Sequence, residues 1–557
     1  MNVKRSHRIS LILPAAVFFL LLTTYCPQSV QQGIGIQDLK ALERFLDSLE
    51  AKYETVCGEI AEANYRFYTE KGPIDQNAPK KKLASLLLDE RNRNVLDEWI
   101  KRVKPEENSR LAYRLEIWKR VITAAQVNSS EDIYPLANEL EERFANFRYS
   151  VEGKSCRLGE ATEILAEKYK DNQEKQLKEI WLLGAQLSDA MKNDIRRLMQ
   201  KRNRIAKGLG HANYGELGLW AYGMKSRWFR NIMNTFERRT HEQYENALIE
   251  GKRMSGIPDV KPWNLERVLI SRVTDESKLP GFDLERFRNY SAEPLLWATL
   301  NNIGFDSCKL NIKMSTSESM LYGGLCVGVQ IPSDVRVVLR PGRFPITTAL
   351  HEFGHALHWS HVTVDDPILK GYEVQGGCTI LWAEAVANSL ALLSGNDEWL
   401  KKVRLYREEY IQARKVEASK LGSYRHRWRL LDIDFELSAY ENIDEDLDEL
   451  YGRLYRKYFL IDYPKNEPGV WASTKGIMLA ASPAYDPNYL ICHIIAWQVY
   501  QTLERKFGKD FAFEKKVAPW LIENLYKMGE SIPWEERLVR ATGSSLDVEG
   551  FLTSEGY

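Results

Sequence analysis

Helical periodicity dominates the first half of the sequence. From Asp38 onward Leu42, Leu46, Leu49, Tyr53 and Val56 recur at spacings of four and three, with Glu, Lys and Arg between them, the pattern of a helix with one apolar face. The same spacing, interrupted by few prolines, continues through 81–103, 109–127, 132–147, 157–207 and 211–250. An all-helical N-terminal half follows, and its apolar stripes are core rather than cofactor contacts. Strand signals are confined to Leu325 to Ile331 and Val335 to Leu339, separated by Pro332, Ser333 and Asp334. Helical patterns then resume to the C-terminus, with turns at Ser394-Gly395-Asn396 and between Pro464 and Pro468. Neither an internal repeat nor a linker divides the chain.

Composition narrows the function classes. With 44% hydrophobic and 28% charged residues over 557 positions, the chain can bury a large core and is globular. Lys plus Arg (77) equals Asp plus Glu (77), so the basic field that nucleic acid requires is absent. Seven cysteines contain no CxxC pair, which excludes zinc ribbons and thioredoxin-like chemistry. Setting Cys26 aside leaves six, which permit disulfides without requiring them.

Lys4, Arg5 and Arg8 precede an apolar run from Ile9 to Leu22, a charged region followed by an apolar one too short to span a bilayer comfortably. Residues 1–26 are read as a signal peptide and the protein as exported, secreted or periplasmic; a short retained membrane anchor is the alternative. Cys26 stands where a bacterial lipoprotein is cleaved and acylated, although Thr23, Thr24 and Tyr25 are not the small residues that precede such a cysteine. A lipid anchor at Cys26 is therefore a weaker variant of the same reading. No later run approaches about 18 uninterrupted apolar residues, so no further membrane span is expected.

The chemistry is concentrated at residues 351–355, HEFGH, with Pro345, Thr347 and Thr348 suiting the first turn of a helix that runs to about Trp359. Histidines four apart share one helix face, roughly 6 Å apart at Cβ, and can converge on one Zn²⁺ at about 2.0–2.1 Å. Glu352 is displaced by about 100°, a poor place for a ligand but a good one for a general base acting on water at the metal. The flanks Ala349, Leu350, Phe353, Ala356 and Leu357 are apolar, which argues against a pair of surface histidines. His361 lies ten residues after His351, but His358 occupies the position where a turn back would need glycine. A continued helix carries His361 some 15 Å along the axis. The better third ligand is Glu384, the only charge in the apolar stretch Ile380 to Leu393, because a buried carboxylate needs a cationic partner. An Arg or Lys could also fill that need. Asn388, one turn on, shares the Glu384 face and can hydrogen-bond a ligand.

HEFGHALH at 351–358 resembles the zinc helix of the thimet oligopeptidase and oligoendopeptidase F family. AEAVANSLALL at 383–393 is similar to the helix that delivers the third ligand in the angiotensin-converting-enzyme family of the same fold. LMQKRNRIAKGLGHANYGEL at 198–217 and ASPAYDPNYLICH at 481–493 also resemble segments of these gluzincin peptidases. The likeness covers the mature chain loosely and the zinc helices specifically. It implies a mainly α, bilobed, neurolysin-like ellipsoid with a deep channel and a small sheet beside the zinc helix. Residues 27–557 would form one domain, with 27–250 as a helical lid half and 251–557 as the zinc-site half. It further implies His351, His355 and Glu384 as ligands of one zinc ion and Glu352 as base and proton shuttle. Tyr485, Asp486 and Tyr489 match the later segment, but the tyrosine expected to donate to the oxyanion is Cys492 and no histidine precedes Tyr485. Tyr489 and His493 are the remaining candidates for that donor.

The expected function is an exported, monomeric zinc metallopeptidase acting on short peptides, of oligopeptidase or peptidyl-dipeptidase type. The peptide is expected to lie extended against the strand around Arg336 to Leu339. The competing reading, motivated by Cys492, is a zinc-binding, catalytically weakened protein that captures peptides without cutting them.

Overall fold

The computed structural model describes residues 36–270, 292–318, 320, 323–341, 346–464 and 467–557. The signal segment 1–26, Cys26 and Pro345 lie outside them. The first helix, Ile36–Thr69, runs unbroken as its periodicity predicts. Several longer periodic stretches are divided by local caps. Asp89 accepts a hydrogen bond from the Asn92 N–H at 2.8 Å and separates Asn77–Leu88 from Glu90–Arg102. Asn172 does the same for Lys175, so 157–207 becomes Leu158–Lys168 and Gln173–Gly208. The stretch 211–250 is broken differently, at Tyr222–Lys225, where Gly223 takes φ 79° between Tyr214–Ala221 and Ser226–Ser255. At Asp89 and Asn172 a short acceptor side chain satisfies a free N–H and fixes a new helix start.

Five short strands complete the secondary structure among the described residues. β1 (Tyr149–Val151) and β2 (Lys154–Cys156) form a hairpin that periodicity cannot reveal in three-residue strands; its turn places Glu152 and Gly153 at φ 55° and 73°, as a tight two-residue hairpin demands. β3 (Ile312–Thr316), β4 (Gly324–Gln330) and β5 (Asp334–Leu339) form a sheet of order β3-β5-β4, with β3 parallel and β4 antiparallel to β5. β4 and β5 are the two strands expected from sequence. β3 was not expected, and it corrects the peptide-binding reading. β5, which carries Arg336 to Leu339, is central and its main chain is paired on both sides, so no peptide can add there. Among the described residues, the strand with an unpaired edge beside the helix that carries HEFGH is β4.

The sheet sits between two helices. On one face Ile36–Thr69 crosses the strands, joining Glu62 to Arg336 at 2.8 Å and Tyr65 to Ser315 at 2.5 Å. On the other face lies Ile346–Ser360, the metal helix, against which Gly324 and Gly328 are turned: a Cβ on Gly328 would approach Trp359, and one on Gly324 would meet Glu352. The small sheet beside the HEFGH helix and the mainly α architecture are therefore as expected. One continuous hydrophobic cluster extends from Leu42 to Leu552, and contacts cross residue 250 freely: Ile36–Thr69 packs on β4 and Gln173–Gly208 on Trp471–Ala481. The six cysteines from Cys57 to Cys492 are unpaired. Among the described residues no helix is long and apolar enough to cross a membrane.

Candidate metal centre

The metal helix is buried along most of its length, from Ile346 to Trp359. Its neighbour Ile380–Ala391 is packed between it and Asp486–Phe507. The close approach depends on Gly354, since a Cβ there would lie 2.5 Å from the Ala387 Cα; any side chain would push the two helices apart. With the backbones this near, Glu384 meets the two histidines. Its Oε2 lies 3.5 Å from His351 Nε2 and 4.0 Å from His355 Nε2, and the three ligand atoms all fall within 4.8 Å of one another. An ion bonded at about 2.1 Å to each of two donors spans about 4.2 Å between them. The pairs made by Glu384 already satisfy that limit.

The charge balance fits a cation. Glu384 Oε2, the atom both imidazoles face, is buried without a hydrogen-bond partner. With the protein's own charges alone, burial followed by the nearby Glu373 pushes Glu384 up to about 8, while a hydrogen bond with Tyr485 pulls it down. Burial, Glu384 and Glu373 likewise raise Glu352 to about 8. Burial lowers both His351 and His355, keeping them neutral as metal ligation requires. Two crowded carboxylates beside two neutral imidazoles form a site that a divalent ion relieves. Two nitrogens and one carboxylate oxygen with an open position are a donor set suited to catalytic zinc.

Glu352 lies against the start of β4, within electrostatic range of Glu384. A Cβ on Gly324 would lie 2.5 Å from its Cγ, and the Cys326 backbone N–H hydrogen-bonds its carboxylate. Glycine at 324 is thus what lets the strand edge and the carboxylate share this space. Asn388 donates to the Glu384 carbonyl at 2.8 Å and hydrogen-bonds His351, holding one ligand from the helix that carries another. His361 is not in the cluster; it packs against Phe305 and Tyr526, and its Nδ1 lies 2.8 Å from the Leu357 carbonyl.

The segment expected to supply an oxyanion donor forms the start of Asp486–Phe507. Tyr485, which matches the resembled segment but is not one of the two donors expected from it, is the tyrosine that hydrogen-bonds Glu384. Tyr489 stacks edge-on against it at 5.5 Å and lines a cavity of about 570 Å³ with Arg429 and Trp428. His493 is half-buried, within electrostatic range of Arg429 and His351. Cys492 is buried with its Sγ 3.6 Å from Asn388 Nδ2. Two further charged groups escaped the sequence reading. Arg429, beside Tyr489, makes no ion pair among the described residues, and burial lowers its pKa. Glu373, in the loop before Ile380, keeps part of its surface exposed, but burial raises its carboxyl to about 7, and it lies within electrostatic range of Glu352 and Glu384.

No family model and no curated protein matches the sequence. Solved structures match over almost the whole chain. A carboxypeptidase from Pyrococcus furiosus is 18% identical, with 92% of this chain and 98% of that chain covered at a TM-score of 0.58. Metallocarboxypeptidase 1 from Trypanosoma cruzi is 13% identical, with 92% and 99% covered at 0.58. A carboxypeptidase from Deinococcus radiodurans R1 is 14% identical, with 92% and 98% covered at 0.53. The chain shares the fold of these carboxypeptidases.

Proposed function

We propose that the protein is a zinc-dependent peptidase, with one Zn²⁺ held by His351, His355 and Glu384 and with Glu352 as general base. The observation that carries this reading is the convergence of those three ligands beside a buried glutamate under an unpaired strand edge. The chemistry zinc would supply when held by His351, His355 and Glu384 is a lowered pKa for water and polarisation of a carbonyl oxygen. Glu352 takes the proton of the attacking water and returns it to the leaving amine. A peptide extended along the free edge of β4 gains main-chain hydrogen bonds there. Tyr489 and His493 are the donors proposed to face the oxyanion.

Of the cleavage modes, removal of C-terminal residues is best supported. The similar folds belong to carboxypeptidases, and Arg429 is a half-buried cation that makes no ion pair among the described residues, in a cavity it shares with Tyr489, Arg425 and the acids Glu266, Asp432 and Asp486. A guanidinium so placed suits a terminal carboxylate. Zinc-loaded protein given matched peptides with free or amidated C-termini is expected to cut the free acids in a chelator-sensitive way, releasing single residues. The preference should be about tenfold or more and should vanish in Arg429→Met. Equal cutting of amides at internal bonds would instead support an oligopeptidase, and release of dipeptides a peptidyl-dipeptidase.

One observation favours a second reading. The buried thiol of Cys492 meets Asn388 at 3.6 Å where the resemblance calls for a hydroxyl, and loss of one oxyanion donor typically costs about a hundredfold in rate. A protein that binds zinc and peptides with no chelator-sensitive turnover would be the weakened, peptide-capturing form. Export belongs to the same proposal. The mature N-terminus, read by mass spectrometry of the secreted or periplasmic protein, is expected to follow residue 26, and full-length chain retained in the membrane fraction would overturn it.

A further inference from the structure

We infer that Glu373 determines specificity, selecting substrates with a basic side chain next to the scissile bond; this rests on the peptidase reading. The loop that carries it is fixed on several sides. The Tyr372 hydroxyl donates to Glu54 at 2.9 Å and accepts from the Ile331 N–H at 3.0 Å, and the Val374 N–H bonds the Tyr372 carbonyl at 2.7 Å. A Cβ on Gly376 would strike the Arg120 backbone at 2.6 Å, and one on Gly377 the Tyr53 hydroxyl at 2.8 Å. Glu373 is therefore held in place, not swept about by a loose loop.

Its surroundings call for a cation. Glu373 makes no hydrogen bond or ion pair with any described residue, although it lies in electrostatic range of Glu352, Glu384 and Tyr485. It is too far from the metal ligands to join their cluster, so a shared ion does not account for it. A carboxylate in a concave site without a partner gains most from a positive group brought by a ligand.

The adjoining cavity says what carries that group. It measures about 70 Å³, is walled on one part by Cys57, Ile60, Val327, Ile331 and Trp359 and on another by the polar Asn64 and Tyr372, and has Glu373 at its side. An alkyl stem fits its apolar walls, whereas a cavity that takes benzene is about twice that size. Val327 and Gly328 belong to β4, so a peptide along the free edge of that strand passes the cavity's mouth. A lysine or arginine side chain would lay its methylenes on the apolar wall and its charge on Glu373. A free α-ammonium offers the same charge without the stem.

The test uses the zinc-loaded full chain and matched peptides, lysine against norleucine at each position flanking the cut, each with free and acetylated N-termini. At one position lysine is expected to exceed norleucine by about tenfold or more in kcat/KM. Glu373→Gln should bring that ratio close to one and Glu373→Lys should turn the preference toward glutamate. A binding arm measures fluorescence anisotropy of the same labelled peptides on Glu352→Gln protein, alone and combined with Glu373→Gln. A lysine ratio that is absent in the wild type, or survives Glu373→Gln, overturns the inference. Preference lost on acetylation overturns the side-chain assignment. Absence of cleavage with the binding ratio intact defeats only the peptidase reading, and cleavage without lysine preference defeats only this one.

Discussion

Glu352→Gln is expected to lower kcat for peptide cleavage by about 10²–10⁴-fold while the protein still binds one equivalent of zinc. The glutamine is nearly isosteric, so the contact with Gly324 and the hydrogen bond from the Cys326 N–H can persist. What disappears is a carboxylate able to take a proton. Its neighbours hold its proton affinity high: burial, Glu384 and Glu373 raise it to about 8, before any cation is added. A bound dication lowers that value toward the range in which a base works near neutrality. Elemental analysis and single-turnover kinetics on the same sample check both halves of the expectation. A metal-loaded Glu352→Gln protein that cuts within tenfold of wild type would remove Glu352 from the chemistry.

Glu384→Ala should weaken zinc binding more than a hundredfold, since even groups that only orient a ligand are worth 10- to about 100-fold. The effect can be read as stability. Zinc at a thousand times the wild-type Kd stabilises the folded state by about 4.1 kcal/mol, whereas a site a hundredfold weaker retains about 1.4 kcal/mol. The metal-free variant should behave differently. Glu384 has a folded pKa of about 8 against an ordinary 4.5, so its ionisation costs stability that grows as pH rises from about 4.5 toward 8. Removing it lifts that cost, and metal-free Glu384→Ala should therefore lose less stability near neutral pH than truncating a buried side chain ordinarily does. Melting curves with and without zinc distinguish the two effects. Zinc stabilisation unchanged from wild type would mean that Glu384 is not a ligand.

The sequence was most legible where one helix alone determines geometry. His351 and His355 share a face whatever surrounds them, and Glu384 stood out as a single charge in an apolar run. The structure brings the three side chains together. Arg429 was hidden for the opposite reason: it follows Arg425, His426 and Arg427 in a long helix, and only tertiary packing decides which of these faces a cavity. Glu373 lies in a loop with no period to read, although a lone acid amid Tyr372, Val374 and two glycines was a faint signal. Strand order was equally out of reach. The β4–β5 hairpin follows from its turn, but the parallel pairing of β3 with β5 is long-range, and it alone decides which strand keeps a free edge. Helix boundaries failed at Asp89 and Asn172 because a single cap interrupts an apolar stripe without altering its spacing.

The glycine seat at 354 bears on how the ion leaves. With Gly354 against the Ala387 main chain, two imidazoles and a carboxylate 29 residues beyond His355 are carried as one rigid body. Were zinc bound there as proposed, parting the two helices would separate its carboxylate ligand from both imidazoles at once. Demetallation then becomes a local-unfolding event, slow at ambient temperature and steeply accelerated by heat. Repeated passage of ligands through the groove would leave the ion in place.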